Sequence, residues 1–291
     1  MTLTRLMSTI FPVATGAVLI LGPCTAVVTA TEPCGDFGEC KALIEINATD
    51  GDIGFHFLMD GDDLNSAKLV DANGAKVFVD RASKSLRKQK LTETFVESAE
   101  PPCWLDPDDP EADPDEVVTL EQFLERWAAG TYVFSGRGDD GASVGETQLT
   151  YHLPAAPANV SFNGGVISWG AGDDLGNCAS SADLVALVAA GVLPVHPENV
   201  HVASWEIVLE PDVEDGDPTG DLVYSIRVPG GINPKQVTVP GDYLASLPAN
   251  TLVKIEVGAL GGDDAVGDDD NGTFTEVTGF CVNESGDGCE D

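Results

Sequence analysis

Strict alternation of apolar and polar residues constrains the fold of this chain more than any other sequence feature. In residues 253–259 the apolar Val253, Ile255, Val257 and Ala259 are separated by Lys254, Glu256 and Gly258. A period of two places successive side chains on opposite faces of a β-strand, so that one face is buried and the other meets water. Residues 53–59 alternate in the same way. The pattern predicts a mainly β protein built from half-buried strands.

Turn signals separate further strands, and Asn73-Gly74 is the clearest of them. Trp169, at the end of one strand, is predicted to fill a core between sheets. Residues 60–63 (Asp-Gly-Asp-Asp) are expected to form a turn. The other predicted strands are residues 42–46, 66–70, 76–80, 131–135, 148–153, 159–162, 202–210, 223–228, 236–239 and 273–282.

Two segments carry helix signals instead. Thr119-x-x-Gln122 and Ser180-x-x-Asp183 have the spacing of a capping box, in which the first side chain and the third helical residue bond each other's backbone N–H. Apolar residues at helical spacing and then a glycine follow each of them. Two short helices are therefore predicted within the β structure.

Residues 1–30 have the composition of an export signal. Arg5 precedes an uncharged run over residues 6–30, and either residues 28–30 (Val-Thr-Ala) or residues 24–26 (Cys-Thr-Ala) offer the small side chains that signal cleavage needs. A retained membrane anchor is the alternative, but prolines and a glycine dilute the run, which favours cleavage. The mature chain is expected to be secreted, periplasmic or on the cell surface.

The cysteine count agrees with export. Loss of the leader removes Cys24 and leaves six cysteines, an even number typical of disulfide-bonded secreted chains. Proximity along the chain predicts the pairs Cys34–Cys40 and Cys281–Cys289, with Cys103–Cys178 left to join the two halves. The alternative is that some thiols stay free. No Cys-x-x-Cys pair is present, which argues against a zinc site of that kind.

Charge restricts the classes of partner. The chain has 49 acidic and 14 basic residues, a formal net charge of −35. Nucleic acids and anionic membranes repel such a surface, so neither is expected as a partner once the leader is removed. An acidic surface of this kind suits cation binding or solubility at high salt.

The predicted organisation has two β-sandwich domains. A leader over residues 1–30 is followed by a cysteine-containing segment (31–40), a first sandwich (41–153), a second sandwich (154–283) and an acidic tail (284–291). No repeat at a solenoid period is present. The helix signal at Ser180 lies in an insertion over residues 171–199, between two strands of the second domain.

The second domain resembles a fibronectin type III module. The residues that carry the resemblance are Pro154, Pro157, Trp169, Trp205 and the run Leu247-Pro248-Ala249-Asn250-Thr251. Val253 stands where that family has a tyrosine, and the helical insertion is also unusual. Residues 41–153 are similar, on weaker grounds, to a bacterial immunoglobulin-like domain. The resemblance implies two β-sandwiches and leaves function open, because such modules serve as spacers, adhesion domains and enzyme accessories.

Acidic turns are the candidate metal sites. Aspartate and asparagine side chains at spacings of two offer the oxygen ligands that Ca²⁺ prefers, although none of the turns has the EF-hand pattern. The other interpretation is that they are only turns. The sequence predicts no cofactor, and a bound Ca²⁺ is the one alternative. The candidate ligands are Asp50, Asp52, Asp60, Asp62, Asp268, Asp270 and Asn271.

A basic segment interrupts the acidic sequence. It comprises Arg81, Lys84, Arg87, Lys88 and Lys90. This segment is a candidate site for a sulfated or phosphorylated glycan, or for the acidic face of a second copy. The structural alternative is a sheet edge that lysines protect against aberrant pairing.

The sequence contains none of the catalytic signatures that would identify an enzyme class. Gly-x-Ser-x-Gly, His-Glu-x-x-His and a phosphate-binding Gly-Lys-Ser/Thr loop are all absent. Residues 137–139 spell Arg-Gly-Asp, the tripeptide that integrin ligands display, but three residues are weak evidence.

These patterns predict a non-catalytic extracellular protein that acts in binding, adhesion or extracellular assembly. Its expected partner is an extracellular protein, a glycan or another copy of itself. Two alternatives remain open. One is a secreted hydrolase or enzyme accessory protein with Ca²⁺-stabilised loops, and the other is a filament subunit assembled by strand donation.

Overall fold

Strands dominate the part of the chain that the computed structural model describes, residues 34–107, 110, 112–139, 141–213, 216–262, 271–285 and 289. This confirms the prediction of a mainly β chain. The strands are β1 (Glu39–Asn47), β2 (Asp52–Val70), β3 (Lys76–Arg81), β4 (Leu91–Glu97), β5 (Gly130–Gly138), β6 (Ala142–Leu149), β7 (Ala158–Asn163), β8 (Val166–Gly170), β9 (Val202–Pro211), β10 (Tyr224–Pro229), β11 (Gln236–Thr238), β12 (Thr251–Gly261) and β13 (Gly272–Val282). The predicted leader, Asp268, Asp270 and most of the acidic tail lie outside the described residues.

The predicted alternation is correct in β12, where Val253, Ile255 and Val257 are fully buried. The expected turn at residues 60–63 is wrong, because β2 continues through it as one 19-residue strand. Its partners change there: the first half of β2 pairs with β1 and β4, and the second half pairs with β3 and β5. The polar residues of this segment mark a bend in a strand rather than its end.

Both predicted helices are present with both of their capping-box bonds. They are α2 (Leu120–Arg126), capped by Thr119, and α3 (Ser181–Ala190), capped by Ser180 and closed by left-handed Gly191. The prediction of only two helices is too low, because the described residues contain two more. These are α1 (Lys84–Gln89) and α4 (Gly241–Ser246). Each has six residues and lacks a side-chain cap, so no capping signal in the sequence predicts it.

One ten-stranded sheet runs through both halves of the sequence. Its strand order is β10-β9-β12-β13-β1-β2-β5-β6, with β3 and β4 also paired to β2. The halves join where β1 pairs in parallel with β13, in the register Glu45 to Gly272. A second sheet, β11-β8-β7, has three strands. The described residues belong to one compact unit, Glu32–Asp291. The boundary between Leu153 and Pro154 stays a prediction.

Two hydrophobic clusters stabilise this arrangement. The first gathers buried residues of β1, β2, β5 and α2, and it also takes Leu184 of α3 from the insertion. The second packs the small sheet against β9 and β12, with Trp169 and Trp205 at 5.8 Å between ring centroids. Trp169 is buried, as predicted for a core residue. The immunoglobulin-like and fibronectin type III-like assignments of these two halves stay predictions.

Three disulfides link the six described cysteines. They join Cys34 to Cys40, Cys103 to Cys178 and Cys281 to Cys289, the pairs that proximity along the chain predicts. Cys103 and Cys178 both contact the first hydrophobic cluster, so this bond ties the insertion to that cluster. None of the described helices combines the length and the apolar composition needed to cross a bilayer.

Candidate functional site

The basic segment forms the connection between two edge strands. Arg81 ends β3, α1 carries Lys84, Arg87 and Lys88, and Lys90 precedes β4. No residue of α1 is buried. Lys90 differs from the rest, because only 16% of its side chain is exposed and its ammonium lies 2.7 Å from Asp139 Oδ2. The segment therefore combines exposed basic side chains with one, Lys90, that is mostly buried and forms an ion pair.

The fold brings a further arginine, Arg137 of β5, to this segment. Ser66 of β2 lies opposite Arg81 of β3 on one side and opposite Arg137 of β5 on the other. Residues that face each other on neighbouring strands project from the same face of a sheet. Arg81 and Arg137 therefore flank Ser66 on one face, two strand spacings or roughly 10 Å apart at the backbone.

These residues line a cleft of about 340 Å³, which we call the arginine cleft. Its lining consists of Asn65, Ser66, Arg81, Ala82, Arg87, Arg137 and Gly138. Three arginine residues thus line one concave surface of a chain whose net charge is −35. Among the described residues, no carboxylate forms an ion pair with any of the three. Within the described part of the chain, the side chains of these three arginines therefore have no carboxylate partner.

A hydrogen-bonded group at the cleft wall holds this geometry. Asn65 accepts a bond from Lys90 Nζ at 3.1 Å and donates one to Asp139 Oδ1 at 3.2 Å. Bonds from Lys90 and Asn65, with a smaller contribution from the charge of Arg87, lower the pKa of Asp139. Asp139 is therefore an anion whose hydrogen bonds go to Lys90 and Asn65 rather than to the arginines.

The Arg-Gly-Asp tripeptide is part of this arrangement. Arg137 and Gly138 are the last two residues of β5, and Asp139 is bound to Lys90 and Asn65. An integrin ligand needs a tripeptide whose arginine and aspartate are both presented to the partner. In this chain the aspartate is exposed but bonded to Lys90 and Asn65, and the arginine lines the cleft.

The predicted Ca²⁺ ligands do not come together among the described residues. The only group of three potential metal-ligating side chains there is a different one, Glu45, His56 and Glu100. Asp50 accepts a bond from Asn47 Nδ2 at 2.8 Å, while Asp60 and Asp62 lie within β2. Asn271 is buried, and its amide oxygen accepts the N–H of Ile44 at 2.8 Å. The Asn271 side chain therefore joins strands instead of standing free for a metal.

The histidine–carboxylate cluster consists of Glu45, His56 and Glu100. His56 Nε2 lies 2.9 Å from Glu100 Oε1, and His56 Nδ1 lies 3.6 Å from Glu45 Oε2. The imidazole is almost fully buried, with 6% of its side chain exposed, while each carboxylate is partly exposed. Burial raises the pKa of Glu45, the charge of His56 opposes that effect, and the charge of Glu100 adds to it.

Backbone pairing places the three side chains. Glu45 of β1 lies opposite Gly54 of β2, and His56 follows two positions later on the same face. Glu100 lies beyond β4 in a segment held against β2, because Ser98 N–H bonds Phe55 O and Phe55 N–H bonds Ser98 Oγ, both at 2.9 Å.

Further carboxylates surround the cluster. Burial, and then the charges of Glu100 and Asp50, raise the pKa of Asp52 to about 6. Burial, and then the charges of Glu45 and three other glutamates, raise the pKa of Glu256 to about 7. This face of the sheet therefore holds several carboxylates whose ionised forms are disfavoured. A bound cation would reduce the repulsion between them.

Sequence reasoning identified the basic segment but missed the residues that complete both sites. Arg137 was noticed only as part of a tripeptide, and nothing in the sequence places it beside Arg81. His56 lies on the face of β2 that alternation assigns to solvent, yet it is 4% exposed, with Phe95 and Glu100 against its ring. Pairing between distant strands decides both sites, and no short-range pattern encodes it.

Comparison with known proteins gives little further information. No family model matches the sequence, and no curated protein matches it. Among solved structures, the chain is similar to one described as "Biofilm associated protein - BSP domain", with 13% sequence identity and a TM-score of 0.20. The match covers 89% of this chain and 31% of the solved structure, so this chain spans about a third of the length of the protein it matches. At that TM-score the similarity supports no inference about fold or function.

Proposed function

We propose that this chain is an exported, non-catalytic binding protein whose arginine cleft takes sulfate or phosphate groups of an extracellular glycan. The observation that carries the proposal is that three arginines, none paired with a described carboxylate, line one cleft in a chain of net charge −35. Carboxylates are abundant, so arginines left without them mark a surface adapted to an anion from outside.

The chemistry of the cleft favours oxyanions. A guanidinium group presents a planar fork of N–H donors that matches two oxygens of a sulfate or phosphate, and each such charge-assisted pair is about twice as strong as a neutral hydrogen bond. Ser66 lies between Arg81 and Arg137 and adds a hydroxyl donor. The cleft is open, so a group attached to a larger molecule has access to it.

The acidic remainder of the surface narrows the class of ligand. A long, densely charged polyanion would meet repulsion outside the cleft, where acidic residues outnumber basic ones. A glycan with isolated sulfate or phosphate groups avoids that repulsion. The three disulfides support an oxidising compartment, where such glycans occur and where disulfides persist.

The test is binding of a monosulfated oligosaccharide and of its unsulfated form, measured by titration calorimetry on the mature chain. We expect only the sulfated form to bind. Each of Arg81→Gln, Arg87→Gln and Arg137→Gln should weaken binding about tenfold, in line with the cost of a charged hydrogen bond. The matched control is Arg126→Gln, which makes the same charge change at the end of α2, outside the cleft lining.

Two results would contradict the proposal. One is equal affinity for the sulfated and unsulfated oligosaccharides, which would leave the guanidinium groups without a role. The other is an equal effect of the Arg126 change, which would indicate a response to overall charge. The hydrolase and filament alternatives stay predictions, because no observation among the described residues favours either of them.

A further inference from the structure

We propose that Glu45, His56 and Glu100 form a binding site for a single Zn²⁺ ion. This site is separate from the arginine cleft and does not depend on the function proposed for the cleft. Its three ligand atoms, one from each residue, all lie within 4.8 Å of one another. The geometry, the space around the cluster and the chemistry of the donors each support it.

The donor set suits zinc rather than calcium. Ca²⁺ and Mg²⁺ take oxygen ligands, whereas an imidazole nitrogen together with carboxylates suits Zn²⁺ and its neighbours in the transition series. Ligand atoms about 2.0–2.1 Å from a tetrahedral Zn²⁺ lie roughly 3.3 Å from one another. His56 Nε2 and Glu100 Oε1 are 2.9 Å apart, whereas Glu45 Oε2 lies 3.6 Å from the other ring nitrogen, Nδ1, so the Glu45 carboxylate would have to shift towards the ion. Water would complete the coordination from the exposed side.

Gly54 supplies an independent observation. A Cβ atom at this position would lie 2.7 Å from Glu100 Oε1 and 2.8 Å from His56 Nε2. The backbone of Gly54 does not have a positive φ, so conformation does not require glycine there. The missing side chain instead leaves the space in which the histidine and the carboxylate converge. Glycine at this strand position is therefore explained by the cluster.

The cluster is also held in place before any ion binds. Glu45 and His56 project from paired strands, and the segment that carries Glu100 is fixed to β2 at Ser98. The same segment is anchored further on, where Cys103 N–H bonds Gly51 O at 2.7 Å and Cys103 forms its disulfide. Preorganised donors lose little freedom on binding, which favours a stable site.

The charge of the two ligand carboxylates would also be neutralised by a bound ion. Two carboxylates, Glu45 and Glu100, lie against a single imidazole. A divalent cation would neutralise both of them and reduce the repulsion between them. It would also connect β1, β2 and the segment after β4, so that binding stabilises the fold.

The experiment is titration of the metal-free mature chain with ZnCl₂, followed by calorimetry, and with CoCl₂, followed by visible absorption. We expect one ion per chain, and a Co²⁺ spectrum with nitrogen and oxygen ligands. Saturation with Zn²⁺ should raise Tm by about 5 °C at a hundredfold excess over Kd. His56→Gln and Glu100→Gln should each weaken binding at least tenfold. Gly54→Ala, which displaces the Glu100 carboxylate, should also weaken it.

Matched controls separate this site from other donors. His201→Gln removes a histidine whose Nδ1 lies 2.9 Å from Gly262 O, outside the cluster. Glu93→Gln removes an exposed carboxylate of β4. Both should bind Zn²⁺ as the unchanged chain does. If buried His56→Gln fails to fold, the Glu100 change decides the question, because that side chain is 42% exposed. Absence of binding, or unchanged binding in Glu100→Gln, would overturn the proposal.

Discussion

Glu256 shows how one residue can report the electrostatics of a whole face. It projects from β12 between strands that carry further glutamates. Burial, and then the charges of Glu45, Glu276, Glu206 and Glu210, raise its pKa from 4.5 to about 7. Lys254 offsets part of this charge, with its Nζ 3.1 Å from Glu210 and 3.2 Å from Glu276.

A raised carboxyl pKa makes stability depend on pH. Below pH 4.5 the Glu256 carboxyl is protonated in both the folded and the unfolded chain, so it contributes no difference. As pH rises towards about 7, the unfolded chain releases this proton and the folded chain keeps it, so the free energy of unfolding falls. Above that value the full penalty remains, at most about 3 kcal/mol.

Glu256→Gln is therefore expected to stabilise the chain, because it removes a charge that folding disfavours. At about pH 8 the free energy of unfolding should rise by about 1–3 kcal/mol, and at about pH 4 it should be unchanged. Urea denaturation at the two pH values measures both quantities. Glu93→Gln, on exposed β4, is the control and should have little effect. Equal stabilisation at both pH values would show that packing, not charge, is responsible.

At the scale of elements, β2 contributes to both sites, and the segment after β4 contributes to the histidine–carboxylate cluster. The first half of β2 contributes His56 to the histidine–carboxylate cluster, and its second half places Ser66 between the arginines. The segment that carries Glu100 is the less regular partner, and the Cys103–Cys178 disulfide fixes its end. The two candidate sites therefore share one strand, and a covalent bond constrains the segment beside it.

The three disulfides should differ in how much they stabilise the chain. Cys103–Cys178 closes a span of 75 residues and Cys281–Cys289 a span of 8. A longer loop loses more freedom in the unfolded chain, so the expected contributions are about 4 and about 2 kcal/mol. Denaturation of the two double Cys→Ser variants measures them. A larger loss for the Cys281–Cys289 variant would show that native packing outweighs loop entropy.

For the molecule as a whole, one continuous sheet contains strands from both sides of the predicted domain boundary. The parallel pairing of β1 with β13 joins the two halves through their backbones. The first hydrophobic cluster also takes Leu175, Leu184 and Leu193 from the insertion. Helix α3 therefore packs on the first half of the chain, although its sequence lies between strands of the second.

Fragments test this organisation. A fragment of residues 34–153 lacks the insertion leucines and the Cys178 partner of Cys103, so it should not fold cooperatively alone. A fragment of residues 34–199 restores both and should recover more secondary structure and protease resistance. Circular dichroism and limited proteolysis measure the difference. Cooperative folding of residues 34–153 by themselves would support the predicted boundary at residue 153.

Local patterns were enough for several elements but not for their arrangement. Alternation in residues 253–259 predicts β12, and the capping boxes at Thr119 and Ser180 predict α2 and α3, because these signals act within a few residues. Helices α1 and α4 were missed because they have neither a side-chain cap nor a buried face.

What the sequence alone determined is the mainly β character, the charge, two capped helices and the cysteine pairs closest along the chain. Only the tertiary structure decided that Arg137 joins Arg81 and Arg87, and that Glu45, His56 and Glu100 meet. The reason is physical. Alternation determines the face of the sheet on which a side chain lies, whereas the register between distant strands determines which side chains it contacts. That register depends on packing and hydrogen bonding over the entire sheet, so the candidate sites emerge only once the sheet is assembled.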